Sequence, residues 1–287
     1  MRTNPDPPSP AAPSNAGDAR PGPGATCSDA EARPTGHRPQ GLLARALRPF
    51  YAAYSLTLLF ALILLASLLA LLLPTLAWRR RSTRFLARSW LWLVGLRLSV
   101  HGLERLPTGS CVLVANHSSY LDGVVMKASL PPRFSFVIKR EASTTPVLGL
   151  LLRRIGSEFV DRHSHGGRQR DGRRVMKRAA QGHSLVFFPE GTFDSLVGLK
   201  RFQIGAFVAA ARGAVPLVPS VIHGARRLLP NRTLVPLPGH LSLEILPALS
   251  SAGRQPTELR DEARSLILAR LDEPDLATPA ASPNPAN

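Results

Sequence analysis

The spacing of apolar and polar residues divides the chain into four parts. Residues 1–40 hold mostly Pro, Ala, Gly and Ser, with almost no large apolar side chain, and residues 41–99 are mainly apolar. Residues 100–272 alternate short apolar runs with amphipathic segments, and residues 273–287 return to Pro, Ala and Asn. Segments without large apolar side chains cannot bury enough surface to offset the entropy of ordering. We therefore predict a disordered N-terminal tail, an apolar part, a folded domain and a flexible C-terminal tail.

The apolar part, residues 41–99, is predicted to anchor the chain in a membrane. No charged residue lies between Pro49 and Trp78, and Leu56–Leu73 is almost wholly apolar. Such a run is long enough for a helix to cross the hydrocarbon, and Pro74 ends or kinks that helix. The following segment, Phe85–Val100, has the pattern of an amphipathic helix at the membrane interface. Two arrangements stay open: one spanning helix, or a two-helix hairpin that dips into one leaflet.

Arginines are distributed unevenly around the long apolar run. Two precede it and five follow it, in the order Arg45 and Arg48, then Arg79, Arg80, Arg81, Arg84 and Arg88. Positive charge favours the cytoplasmic side of a bilayer. We therefore expect the folded domain on the cytoplasmic side of the inner membrane.

In the folded domain, short apolar runs alternate with longer amphipathic segments. The runs predict strands at 110–115, 134–138, 158–161, 184–188, 215–222 and 241–246. The amphipathic segments predict helices at 119–129, 146–154, 168–181, 203–212 and 257–271. Alternation of this kind is typical of an α/β fold with a mainly parallel sheet flanked by helices.

Composition narrows the possible partners. The formal net charge of +17 points to an anionic partner, which nucleic acid, an anionic membrane surface and a phosphorylated substrate would each provide. Cys27 lies in the Pro-rich tail and Cys111 in a predicted strand, so no disulfide framework is expected and a reducing compartment is favoured. No Cys or His cluster has metal-ligand spacing, and we expect no metal site.

The segment Asn116–Asp122 carries the first candidate chemistry. It follows an apolar predicted strand, and α/β folds place their chemistry where such strands end. His117 in a turn can meet Asp122 in the first turn of the next helix. The carboxylate would then hold one imidazole nitrogen and leave the other to take a proton from a hydroxyl. The alternative is structural: Ser119 to Asp122 also forms a capping box, in which Asp122 only satisfies the helix N-terminus.

Three further candidates also lie at predicted strand ends. Lys139 ends one strand and Arg162 follows another, where a guanidinium could bind a phosphate or pair with a surface carboxylate. The run Phe188-Pro-Glu-Gly-Thr192 puts a carboxylate on a tight turn that its glycine permits. Together with His117 and Asp122, this carboxylate, Glu190, predicts a polar cluster at one edge of the sheet.

In chain order, the segments NHSSYLD, GSEFVDR, FPEGT and VPLVP resemble the four motifs of the glycerolipid acyltransferases. More specifically, they are similar to the PlsC-like 1-acylglycerol-3-phosphate acyltransferases, and the resemblance covers roughly residues 100 to 250. It implies an acyl group moved from acyl-CoA or acyl-ACP to the hydroxyl of 1-acyl-sn-glycerol-3-phosphate, giving phosphatidic acid. It implies no cofactor beyond the acyl donor, and N-terminal helices buried in the bilayer.

The resemblance also assigns roles to residues. His117 would deprotonate the acceptor hydroxyl, and Asp122 would orient its imidazole. The predicted acceptor-binding residues are Glu190, Gly191 and Thr192, and the predicted phosphate-binding cations are Arg162 and Lys139. The sequence departs from the family pattern at Phe193-Asp194-Ser195 and at Gln203, both on the acceptor side.

Three other functions would account for part of the sequence. Another lysolipid, such as a lyso-ornithine lipid, could be the acceptor, because both reactions use the same dyad. A serine hydrolase would need a G-x-S-x-G elbow, which is absent from the sequence. A nucleic-acid binder would explain the charge, but the domain has no recognisable binding motif and few aromatics among its basic residues, so we expect no nucleic-acid partner.

Overall fold

The computed structural model describes residues 42–161, 165–231 and 233–277. The predicted N-terminal tail, Arg162 and residues 278–287 therefore lie outside the described residues. From Ala46 onward, the described residues belong to one compact unit.

Eight α-helices and seven β-strands form the described part of the chain. The helices are α1 Leu42–Leu72, α2 Leu76–Leu93, α3 Leu121–Ser129, α4 Leu148–Arg154, α5 His165–Ala180, α6 Gly205–Gly213, α7 Ala225–Leu228 and α8 Pro256–Leu268. The strands are β1 Leu96–His101, β2 Val112–Ala115, β3 Phe134–Lys139, β4 Glu158–Val160, β5 Ser184–Phe187, β6 Leu217–His223 and β7 Gly239–Ile245.

One seven-stranded sheet organises the domain, in the order β1-β7-β6-β2-β5-β3-β4. Neighbouring strands run parallel except β6 and β7, which are antiparallel. Strand β2 lies near the centre, and all four of its residues are buried, as expected for an apolar strand covered on both faces. The predicted α/β fold with a mainly parallel sheet is confirmed.

Helices cover both faces of this sheet. One core contains Trp90 and Leu91 of α2 with Val125 and Met126 of α3. The other contains apolar side chains of α5, α6 and α8, such as Phe207. The fold therefore has three layers, with the N-terminal helices and α3 on one side of the sheet.

The prediction of an amphipathic helix over Phe85–Val100 is wrong in its second half. Helix α2 ends at Leu93, and Gly95, at φ +76°, turns the chain into strand β1, which pairs with β7. A left-handed backbone of this kind favours glycine and ends a helix. The alternation of Leu96, Leu98 and Val100 has the period of a strand, and it was hidden by the apolar residues that precede it.

Helices α1 and α2 form a hairpin against the domain. The Tyr51 hydroxyl donates to the carbonyl of Val94 at 2.8 Å, near the start of α1. Near the other end of α1, an Arg154 guanidinium nitrogen donates to the carbonyl of Leu71 at 3.4 Å. The outer face of the hairpin carries exposed large apolar side chains, among them Phe50, Phe60, Leu64, Leu68, Leu72, Trp78, Phe85 and Trp92.

The chain just after α8 is held to the domain. Arg226 pairs with Glu273 at 3.0 Å, and Arg264 pairs with Asp275 at 2.9 Å. The first residues of the predicted flexible tail, 273–277, therefore pack against the domain through charged pairs. Their Pro-rich composition does not reveal these pairs, because the arginine partners lie outside the tail, on α7 and α8.

Candidate active site

The centre of the site is the pair His117 and Asp122. His117 follows β2 in a loop, and Asp122 lies in the first turn of α3, as the sequence predicted. The imidazole Nδ1 lies 3.0 Å from Asp122 Oδ2, and the carboxylate side chain is fully buried. The backbone N–H groups of Ser118 and Ser119 also donate to this oxygen, at 2.6 and 2.8 Å. Asp122 therefore accepts hydrogen bonds both from the backbone of the loop and from the imidazole of His117.

This geometry sets the tautomer of His117. Because an ionised carboxylate only accepts hydrogen bonds, Nδ1 carries the proton that it donates to Asp122. The other ring nitrogen, Nε2, is then free to accept a proton. The His117 side chain is 17% exposed, which leaves the ring accessible from one side.

Two phenylalanines that sequence reasoning did not select hold the imidazole ring. Phe188 stacks on it with centroids 4.3 Å apart and planes 19° apart, and Phe193 meets it edge-on at 4.6 Å. Phe193 also meets the ring of Tyr120 edge-on at 4.8 Å. Phe193 drew notice in the sequence only as a departure from the family pattern.

Glu190, in the FPEGT segment, is hydrogen-bonded to the segment that contains His117. Its Oε1 accepts the backbone N–H of His117 at 2.6 Å, and its Oε2 accepts the backbone N–H of Lys200 at 3.0 Å. Burial raises the pKa of Glu190 to about 7, the two N–H donors oppose that rise, and the charge of Asp122 adds to it. Both carboxylate oxygens are thus used to position backbone, so Glu190 fixes the histidine loop.

Asn116 is a further positioning residue that sequence reasoning missed. Its side-chain amide donates to the carbonyl of Ile222 at 3.0 Å and accepts the N–H of Ile222 at 2.8 Å. This pair of hydrogen bonds joins the loop after β2 to strand β6. The only signal in the sequence was a polar residue directly between a buried strand and His117.

The other predicted site residues lie around the same opening. Gly191, at φ +85°, makes the turn after Glu190 that its backbone freedom permits. Gly191, Thr192 and Lys139 line the cavity that His117 borders. The structure thus brings together six of the seven predicted residues, and the seventh, Arg162, lies outside the described residues. Within the described ranges, no group of three or more His, Cys, Asp or Glu side chains could hold a metal ion.

The cavity beside His117 has a volume of about 510 Å³ and is lined mainly by apolar side chains. Helices α1, α2, α3 and α4 and strand β3 all contribute, through residues such as Leu59, Leu62, Leu86, Val124, Phe136 and Leu151. An apolar cavity that opens on a polar reacting group is suited to an alkyl chain with a reactive end.

Comparisons with known proteins agree with these features. A family model described as Acyltransferase matches residues 97–223. A chloroplastic 1-acyl-sn-glycerol-3-phosphate acyltransferase of Brassica napus is 30% identical over 200 residues, which are 68% of this chain and 58% of that protein. The 1-acyl-sn-glycerol-3-phosphate acyltransferase of Pseudomonas aeruginosa is 28% identical over 238 residues, 76% of this chain and 90% of that protein.

Among solved structures, the crystal structure of PlsC, the 1-acyl-sn-glycerophosphate acyltransferase of Thermotoga maritima, has a similar fold. The TM-score is 0.60 with 20% sequence identity, and the match covers 79% of this chain and 90% of that one. The chain spans less than two thirds of the length of the Brassica relative and most of the length of the two bacterial ones.

Proposed function

The chain belongs to the PlsC-like acyltransferase family, and from this premise we propose that it makes phosphatidic acid from 1-acyl-sn-glycerol-3-phosphate. The acyl group comes from acyl-CoA or acyl-ACP and goes to the free hydroxyl of the acceptor. The observation that carries the proposal is the His117–Asp122 pair, at 3.0 Å, beside an apolar cavity of about 510 Å³.

In the proposed reaction, Nε2 of His117 takes the proton of the acceptor hydroxyl as its oxygen attacks the thioester carbonyl. The new C–O bond forms, the C–S bond breaks, and the leaving thiolate takes the proton from the imidazolium. Asp122 keeps the imidazole in the required tautomer and stabilises its charged form. Because the acceptor is the nucleophile, no acyl-enzyme forms. Ser119 lies close to His117, where a serine hydrolase could place its nucleophile. Its hydroxyl is instead buried and donates to the carbonyl of Leu229 at 2.8 Å, so it is not available for that role.

The acceptor is proposed to bind on the side of the cavity where Lys139, Gly191 and Thr192 lie. Lys139 is exposed at the end of β3, where an ammonium can meet a phosphate. Arg162 is proposed as its companion cation. Glu190 uses both oxygens on backbone N–H groups, so we propose that its part in acceptor binding is to hold the turn that presents Gly191 and Thr192.

The hairpin of α1 and α2 is proposed to hold the enzyme on the cytoplasmic face of the inner membrane. In the part of the chain that the structure describes, one helix, Leu47–Leu72, is long and apolar enough to cross a membrane, with a mean hydropathy of 2.7. Tyr51 contacts the end of α2 and Leu71 contacts Arg154 of α4, and these contacts near both ends of α1 favour a hairpin lying in one leaflet over a helix that crosses the bilayer. The lysolipid would then reach the cavity from the bilayer, and the two-chain product would return to it.

A panel of acceptors tests the proposal. Purified protein in vesicles is offered labelled acyl-CoA or acyl-ACP with lysophosphatidate, lyso-ornithine lipid or lysophosphatidylcholine. We expect labelled phosphatidic acid as the main product. If the protein acylates another lysolipid and not lysophosphatidate, the proposed acceptor is wrong. If no lysolipid is acylated from either donor, the proposed activity is wrong.

A further inference from the structure

Lys127 is a cation that the proposed reaction does not use. It lies on α3 one turn after Gly123, and Gly123, Val124 and Lys127 form the face of α3 that lines the cavity. Its Nζ lies 5.9 Å from the centre of the Phe136 ring, on strand β3, and Phe136 lines the same cavity.

Among the described residues, no carboxylate faces the Lys127 amine across the cavity. No carboxylate lines the cavity, and within the described ranges Lys127 has no ion pair with an acidic side chain. Burial lowers the pKa of the Lys127 ammonium to about 7, and the positive charges of Arg80 and Arg84 act in the same direction. Lys127 is partly buried, and an amine in an apolar wall loses part of its hydration at a cost in free energy. A ligand that supplies an oxygen would remove that cost.

The Lys127 amine lies beside Phe136 and not at the end of β3, where the acceptor headgroup is proposed to bind. Lys139, the proposed phosphate-binding cation, ends β3 at the sheet edge where His117 also lies. Phe136 lies three residues earlier in the same strand, which is about 10 Å at the usual rise per residue. Along α3, Lys127 lies five residues beyond Asp122, or roughly 7.5 Å. The amine therefore faces the part of the cavity that an alkyl chain fills several carbons beyond the reacting carbonyl.

We propose that Lys127 makes the cavity selective for acyl chains that carry an oxygen function, such as a hydroxyl, several carbons from the carbonyl. The inference rests on the proposed function, because that function puts an acyl chain in the cavity. The oxygen-bearing chain is carried either by the acyl donor or by the lysolipid acceptor. In both cases the amine hydrogen-bonds the oxygen, whereas an unsubstituted chain leaves the amine without a partner.

Ligand binding tests the inference without catalysis. Trp90 lines the cavity, so its fluorescence reports occupancy. Wild type and Lys127→Met are titrated with methyl stearate and with methyl hydroxystearates that differ in the position of the hydroxyl. We expect wild type to prefer at least one hydroxy ester, and Lys127→Met to lower that preference about tenfold, which is about 1.4 kcal/mol. Equal preference in wild type and Lys127→Met at every hydroxyl position would overturn the inference.

Acyl transfer then identifies which chain carries the oxygen. Hydroxyacyl-CoA with a plain lysolipid forms one arm, and plain acyl-CoA with a hydroxyacyl lysolipid forms the other. The ratio of kcat/KM for hydroxy and plain substrates is compared within each variant, so any loss of folded protein cancels. Lys177→Met, at an exposed lysine of α5 outside the cavity, is the matched control and keeps the wild-type ratio. Absence of the fluorescence preference in wild type, or its persistence in Lys127→Met, would refute the role of Lys127. Absence of acyl transfer by a wild-type protein that keeps the fluorescence preference would refute only the proposed function.

Discussion

His117 is held from three directions, and each contact acts on a different part of the residue. Asp122 accepts from Nδ1, Glu190 accepts from the backbone N–H, and Phe188 stacks on the ring. The first contact sets the tautomer, the second sets the loop, and the third sets the plane of the imidazole. A general base works only when its free nitrogen points at the proton it removes, so this positioning is part of the chemistry.

Replacing Asp122 tests the role of its charge. In Asp122→Asn the neutral amide oxygen still fits beside Nδ1, but the imidazolium that forms in the reaction loses its negative partner. We expect kcat to fall by about 100- to 10,000-fold, with a small change in the KM of the acceptor. Steady-state rates with varied lysophosphatidate measure both quantities. A kcat within tenfold of wild type would show that Asp122 is only a helix cap.

Glu190 predicts a pH dependence of stability. Its pKa rises from 4.5 to about 7 on folding, so the folded state prefers the protonated carboxyl. That contribution is fully present below about pH 4.5 and is lost as the pH rises through about 7. At 1.36 kcal/mol per pKa unit, the free energy of unfolding falls by about 3 kcal/mol across this window.

Glu190→Gln removes the titrating group, and denaturant unfolding at a series of pH values measures the effect. We expect the variant to lack this fall in the free energy of unfolding and to be less stable below pH 4.5, since its amide leaves one backbone N–H without an acceptor. A variant whose stability follows the wild-type pH profile would contradict the burial of the carboxyl. If Glu190 instead contacts the acceptor directly, the KM of the acceptor rises without the loss of stability.

Between elements, the buried guanidinium of Arg80 joins α2 to the α/β domain. It donates to the carbonyls of Ile155, Pro132, Arg133 and Gly156 and to the hydroxyl of Ser135. These acceptors belong to the segments that lead into β3 and β4 and to the start of β3. One side chain thus satisfies backbone carbonyls on two loops and fixes the hairpin to the sheet.

Arg80→Leu tests this connection. The substitution leaves five acceptors without their donor, and we expect a loss of at least about 3 kcal/mol in the free energy of unfolding. Thermal unfolding in detergent measures it. Arg81→Leu is the matched control, because Arg81 is the exposed neighbour on α2, and it should unfold within a degree or two of wild type. Equal unfolding temperatures for both variants would contradict the role of Arg80.

Local pattern predicted most elements, and contacts between distant segments account for what it missed. The six strands from β2 to β7 and the His117–Asp122 pair follow from apolar runs and spacing within a few residues. The hydrogen bond from the His117 backbone to Glu190 depends on β2 lying next to β5, and no local pattern gives strand order. Lys127 has the sequence pattern of a solvated helix residue, and it becomes partly buried because α2 packs on α3 and α1 lines the same cavity. Strand β1 was missed because its alternation follows a long apolar segment without a break.

At the scale of the whole molecule, the exposed apolar face of the hairpin is expected to insert into a membrane. Trp78, Phe85 and Trp92 are 60%, 67% and 78% exposed, which is unusual for aromatic side chains in water. Aromatic side chains at a bilayer surface sit at the level of the headgroups. The cavity mouth would then lie close to the lipid from which the acceptor comes.

Replacing these three aromatic residues by serine should weaken binding to anionic vesicles by about tenfold or more, because each aromatic side chain contributes roughly 1.5–3 kcal/mol when it leaves water. Sedimentation with vesicles measures the bound fraction. Leu103→Ser serves as the control, since Leu103 is exposed at the sheet edge opposite His117 and should not affect binding. Unchanged vesicle binding of the triple variant would contradict the proposed orientation on the bilayer.

The central claim is that the imidazole of His117 deprotonates the acceptor hydroxyl. Its most direct test is the initial rate of acyl transfer to 1-acyl-sn-glycerol-3-phosphate by wild type and by His117→Ala, with thermal unfolding of both proteins measured in the same preparations. We expect the variant to unfold like wild type and to transfer acyl groups at least about 100-fold more slowly. A folded His117→Ala protein with a rate within a few-fold of wild type would contradict the claim.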